Sequence, residues 1–176
     1  FVQWFNLDHL GKSAAQFDET KLRWVNAQHL KAMPDDALAS LVHAQLAAKG
    51  LQADQRLPAI CGLFKDRCDT TVALANWATA FYADVHPNAD DLVKHVTPEV
   101  KPALELLANK LSALSEWSVA SISVTFKEVL TEKGLKMPQL AMPVRVLVMG
   151  TAQTPSLDAV LALSQREKIL QRLKNA

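Results

Sequence analysis

A chain of 176 residues, 49% hydrophobic and 21% charged, holds enough apolar material for one domain or two small ones, which excludes a disordered polymer. Its formal charge of +1 does not by itself mark a nucleic-acid binder, and two cysteines exclude a disulfide framework. No apolar run reaches the roughly 18 residues of a bilayer span and no charged-then-apolar leader opens the chain, so no membrane contact is expected and a cytoplasmic location is.

Glycine is scarce while Ala and Leu are plentiful, which favours helices. The apolar spacing is helical nearly throughout. Asp18 caps a first helix carrying Leu22, Val25, Leu30 and Met33, and Pro34 ends it. Asp35 is expected to cap a second, with Leu38, Leu41, Val42 and Leu46 on one face and Gly50 just past its end. Leu57, Ile60, Cys61 and Phe64 form the stripe of a third, with Pro58 in its first turn. Thr70 or Thr71 caps a fourth, through Trp77 and Phe81. His86-Pro87-Asn88 is a break, and a short helix around residues 90–95 follows it.

Thr97-Pro98-Glu99 then reads as a helix start, with Val100, Leu104, Leu107, Leu111 and Leu114 as the stripe. Ser118 begins a helix with Ile122, Phe126, Val129 and Leu130 inward and Gly134 closing it. Pro138 opens the next. Val144-Arg145-Val146-Leu147-Val148 alternates like a strand, but no second strand is present to pair with it, so helix is expected. Thr154-Pro155 starts a short helix, and Ser164-Gln165-Arg166-Glu167 reads as a capping box opening the last one. The expected fold is all-α, nine or ten short helices in two packed groups.

Residues 133–176 hold seven basic and two acidic side chains, a balance of +5, so the remainder carries −4. Such a basic end can meet phosphates, and its plain alternative is a solvated face. Gly11-Lys12-Ser13 imitates the end of a phosphate-binding loop but lacks the earlier Gly and a preceding strand. Asp91 and His95 share a helix face without a third ligand, as a surface pair would. Cys61 and Cys68 have no metal spacing and read as free thiols. Trp24, Trp77 and Trp117 fall in or at the start of amphipathic helices and read as core, with base-stacking platforms as the alternative. No catalytic set is evident. The chain starts at Phe1 without Met and reads as a fragment.

One stretch is more specific. Trp4-Phe5-Asn6-Leu7 through Lys12-Ser13-Ala14, followed by Lys21-Leu22-Arg23-Trp24-Val25-Asn26, resembles the segment after the catalytic domain in bacterial glutamyl-tRNA synthetases. Three further segments resemble that family in the same order. They are Leu63-Phe64-Lys65-Asp66-Arg67 through Thr71, Glu116-Trp117-Ser118 through Glu132-Lys133-Gly134, and Met142-Pro143-Val144-Arg145 through Thr154-Pro155-Ser156-Leu157.

The resemblance implies an anticodon-binding region built as a superhelical cage. Residues 1–30 would be the end of the stem-contact region, 31–79 a first anticodon-binding subdomain and 80–176 a second. Family members attach glutamate to its tRNA using ATP and Mg2+, in a class I catalytic domain with His-x-Gly-His and Lys-Met-Ser-Lys-like motifs. Neither motif occurs here, so this chain alone is expected to be inactive, without a cofactor of its own. The expected partners are tRNA-Glu and the parent's own catalytic domain, and a monomer is expected.

By position, Arg67 corresponds to the arginine that reads the third anticodon base. A guanidinium only donates, so it suits the O2 and N3 acceptors of cytosine and conflicts with the donors of guanine. Its alternative is an ion pair with Asp66 or Asp69, or a helix cap. Thr154, Pro155 and Leu157 correspond to the positions that hold the first base, with an ordinary helix start as the alternative. Ser164-Gln165 departs from the Leu-Gly of many relatives, which bears on the pose of the last helix. Arg145, Arg166, Lys168 and Arg172 are candidate phosphate contacts. A protein-interaction module without RNA binding, or a synthetase charging both glutamate and glutamine tRNAs, are the competing readings.

Overall fold

Local caps and prolines set most element boundaries. The computed structural model describes residues 16–175, and among these it contains ten α-helices, one short 3-10 turn and no strand. The opening motif around Trp4 and the Gly11-Lys12-Ser13 sequence lie outside the described residues. Helix α1 (Glu19–Ala32) starts where the Asp18 side chain accepts from Lys21 N, and it stops at Met33, held extended by the following proline. Helix α2 (Asp35–Ala48) ends at Gly50, whose φ of 74° suits glycine. Asp35 does not cap it. Pro34 occupies the cap position and the Asp35 carboxylate pairs instead with Lys65 at 2.8 Å.

Helix α3 (Leu57–Phe64) runs into the 3-10 turn Lys65–Arg67, and α4 (Thr71–Tyr82) begins where Thr70 accepts from Ala73 N. Asn88 caps α5 (Ala89–His95). Helix α6 (Lys101–Ser112) starts later than the Thr97-Pro98 reading. The reason is Pro102. In a helix begun at Pro98, the ring of Pro102 would clash with the Pro98 carbonyl and lack the N–H to bond it. Residues 98–100 form a turn instead (Val100 N to Thr97 O, 3.1 Å), which leaves Pro102 in the first helical turn, where no N–H is needed.

Ser118 and Ser121 cap α7 (Val119–Lys133) reciprocally, and Gly134 closes it at φ 64°. The ambiguous valine run lies inside α8 (Met137–Met149). Val144, Val146, Leu147 and Val148 are all buried, because neighbours cover this helix on more than one side. Helix α9 (Leu157–Leu163) begins after Ser156, beyond Thr154-Pro155. The capping box expected at Ser164 does not form: Ser164 ends α9 and its hydroxyl donates back to Val160 O, so Gln165 precedes α10 (Arg166–Lys174).

Helix α2 packs on α3 and α4, while α1 touches mainly the 3-10 turn. In the C-terminal part α6 packs on α7, α8 and α10, α7 on α9, and α8 on α5 and α10. Contact of α3 with α9 joins the two groups, and one buried cluster runs through both. Phe64 lies at its N-terminal end, stacked on Trp77 (5.2 Å) and edge-on to Phe81 (5.9 Å). Trp77 and Trp117 pack half-buried against this core. Trp24 does not: it is 63% exposed, and Leu22 and Leu41 also face outward. Among the described residues α1 packs mainly on the 3-10 turn, and only Leu30 is fully covered there.

Candidate nucleic-acid interface

Arg67 closes the 3-10 turn, three residues before the α4 cap. The turn is fastened from both sides. Lys65 donates to Met33 O at 3.1 Å and pairs with Asp35, tying it to the α1–α2 corner. Arg23 pairs with Asp69 at 3.0 Å and Asn26 donates to Asp69 O, tying the following loop to α1. These bonds engage Asp35 and Asp69, and neither Asp66 nor Asp69 pairs with Arg67 among the described residues. Arg67 itself is exposed and forms no hydrogen bond or ion pair among the described residues. The turn therefore holds a donor-only group toward solvent on a fixed base.

The second predicted site is differently built. Thr154 is 5% exposed and Pro155 and Leu157 are buried. The expected helix cap is absent: the Thr154 hydroxyl donates to Pro155 O at 3.2 Å. Arg145 Nη2 donates to the same carbonyl at 3.4 Å, which fixes the guanidinium beside the loop. Leu157 and Arg145 line a cavity of about 250 Å³, together with Phe126, Met137, Ser156 and Asp158. Its wall is apolar with a few polar groups, the mixture that suits a flat heteroaromatic ring. Nε of Arg145 is buried away from solvent and has no partner among the described residues. Ser156 donates to Asp158 across the rim. Nothing in the local sequence signals Asp158 or the inward role of Arg145, because the cavity is assembled from three helices. Arg67 belongs to the other helix group and does not join this cavity.

The basic tail divides. Arg166 Nη2 donates to Leu111 O, Ser112 O and Leu114 O at 3.1, 2.7 and 2.8 Å, closing the C-terminal end of α6, and its guanidinium lies 5.5 Å above the Trp117 ring. Arg172 donates to Val148 O at 2.8 Å and Ala83 O at 3.0 Å, with longer bonds to Ala80 O. Both guanidiniums thus brace helix ends, where carbonyls concentrate negative charge. Lys168 is half-exposed and remains the candidate phosphate contact on α10.

Cys61 and Cys68 are buried and free, and burial pushes both thiols up to about 11. Burial thus disfavours the thiolate of both, which makes them poor nucleophiles. Among the described residues no group of three or more His, Cys, Asp or Glu is arranged to hold a metal, Asp91 and His95 included, and no helix is long and apolar enough to cross a membrane.

The family model described as an anticodon binding domain matches residues 27–176. A glutamate–tRNA ligase of Albidiferax ferrireducens is 67% identical over 175 residues, and one of Verminephrobacter eiseniae is 62% identical over 183. In each case the match takes in 99% of this chain, which spans 38% of the relative's length. Among solved structures, a glutamate tRNA ligase from Elizabethkingia meningosepticum superposes with a TM-score of 0.89 at 22% identity, covering 97% of this chain and 34% of that one, a likeness of fold.

Proposed function

The chain belongs to the anticodon binding domain family, and from that premise we propose that it is the part of a glutamate–tRNA ligase that holds the anticodon loop of tRNA-Glu. The attachment of glutamate falls to the class I catalytic part of the parent protein, where ATP and Mg2+ would be handled. The catalytic part is the expected covalent neighbour and the cytoplasm the expected location, with the parent acting as a monomer. Two anticodon-binding subdomains would follow the end of a stem-contact region, and the boundary expected at 79/80 moves to just after α4, because that helix runs unbroken across it and packs on α2 and α3.

The observation that carries this reading is the exposed guanidinium of Arg67, unpaired among the described residues, on its fastened turn. Arginine has five donors and no acceptor. Cytosine at the third anticodon position offers the adjacent acceptors O2 and N3, whereas the pairing edge of guanine sets two donors, N1–H and N2–H, beside a single acceptor, O6, so Arg67 favours C over G. The Arg145–Leu157 cavity supports a second contact, in which the first anticodon base enters beside Phe126, Leu157 and the Arg145 side chain. Thr154 and Pro155 then act by shaping the loop that carries Leu157. Lys168 adds a phosphate contact. Titrating this chain with tRNA-Glu, and with the same RNA carrying G at the third anticodon position, tests the proposal. Binding of the C form and weaker binding of the G form is expected. Equal binding of both identifies a module that does not discriminate, and no binding of either removes the RNA reading.

A further inference from the structure

We infer that Arg172 and Arg56 are positioning residues that set the spacing between the two candidate base-reading sites, Arg67 in one helix group and the Arg145–Leu157 cavity in the other. The inference rests on the anticodon reading. Its physical basis is a reciprocal pair of clamps. Arg172, on α10, reaches into the N-terminal group and donates to Ala80 O and Ala83 O at the end of α4, and it also donates to Val148 O at the end of α8. Arg56, just before α3, reaches the opposite way and donates to Leu163 O at the end of α9, at 2.7 Å.

All of these acceptors are carbonyls at helix C-termini, which have lost their intrahelical partners and sit at the negative end of the dipole. One planar guanidinium can satisfy several at once, which an ammonium on a flexible stem cannot do in the same geometry. Arg56 is aimed before it grips. Asp54 holds its Nη2 at 2.7 Å and its Nε at 3.0 Å, and the guanidinium carbon lies 5.5 Å over the Tyr82 ring, which leaves Nη1 for Leu163. Arg172 is desolvated by its burial, which lowers its pKa and makes its carbonyl contacts matter more.

The segment between the groups is tight at the same place. Asn88 N donates to Gly150 O at 3.4 Å, and Gly150, at φ 78°, comes so close that an added Cβ would stand 3.2 Å from Val85 Cγ1. With both clamps closed the two groups move as one body. Two base contacts on one rigid body act together; on two loosely joined bodies, the binding-competent spacing is populated only part of the time, and apparent affinity falls by that fraction.

The test compares the unsubstituted chain with Arg172→Ala, Arg172→Lys and Arg56→Ala. Spin labels on Ala47→Cys in α2 and Lys127→Cys in α7, both exposed positions, report the distance between groups, while buried Cys61 and Cys68 resist labelling. The affinity for tRNA-Glu is measured in parallel at two or more salt concentrations. Thermal unfolding confirms that each variant is folded, and Arg56→Ala keeps the test open if Arg172→Ala is not. One narrow distance is expected in the unsubstituted chain and a broadened one in each variant. Kd should rise about tenfold if the competent spacing drops to about a tenth of the population, with the salt slope unchanged.

Unchanged distance and affinity in the variants would overturn the inference. A slope lowered by about one unit in Arg172→Ala, with affinity retained in Arg172→Lys, would also overturn it, because Arg172 would then be a phosphate contact. If the variants broaden the distance but the unsubstituted chain does not bind the RNA, the anticodon reading fails and the positioning role falls with it, leaving a purely structural brace.

Discussion

At the scale of single side chains, three arginines of the same chemistry end in three environments. Arg67 faces water on a fastened turn, Arg145 lines a cavity, and Arg166 closes a helix end. Charge-assisted hydrogen bonds contribute more than neutral ones. Arg166→Ala removes three of them together with the contact over Trp117, so it should lower the unfolding free energy by about 1.5–3 kcal/mol. Chemical denaturation checks this, and a change below the error of that measurement would mean the α6 carbonyls are satisfied by water. The buried thiols make a pH prediction. Their folded values near 11 exceed the ordinary thiol value of 9.0, because burial disfavours the thiolate. The stabilisation is complete below the unfolded value and is lost as pH rises toward the folded one. Stability should therefore decline between about pH 9 and 11, more steeply than in a Cys68→Ala variant. Equal slopes would remove the thiol from the account.

At the scale of elements, caps decide where helices start. Ser118 closes α7 through a reciprocal pair with Ser121, and Ser118→Ala should cost about 0.5–2 kcal/mol, read as a lowered denaturation midpoint. No loss would mean that Glu116 O and Ser121 hold the start unaided. Signals confined to a few neighbouring residues were legible in the sequence: Asp18 and Ser118 cap as their chemistry predicts, Thr70 rather than Thr71 caps α4, and Gly50 and Gly134 end helices at positive φ. Signals that meet a competitor were not. Asp35 is drawn off by Lys65, thirty residues on; Ser164 instead bonds the Val160 carbonyl and the Thr97-Pro98 start gives way to Pro102, two local competitions between neighbouring signals of opposite sense. Trp24 carries a core-like spacing, but among the described residues its helix meets mainly the 3-10 turn, which does not reach Trp24's face. At the candidate site the position of Arg67 was readable from its motif. The cavity partners of Leu157 were not, because α7, α8 and the start of α9 bring them together from well-separated stretches.

At the scale of the whole molecule, two helix groups share one buried core and are cross-braced by arginines at helix ends. The basic tail is consequently part scaffold and part exposed charge, which is why its +5 balance overstates the surface available to phosphates. The account turns on Arg67 facing an RNA base. The most direct measurement is a double cycle: the unsubstituted chain and Arg67→Ala, each bound to tRNA-Glu with C and with G at the third anticodon position. The account predicts that Arg67→Ala weakens binding of the C form by about 1–3 kcal/mol, leaves the G form nearly unchanged and abolishes the preference between them. Equal losses for both forms, or a C preference that survives without Arg67, would contradict it.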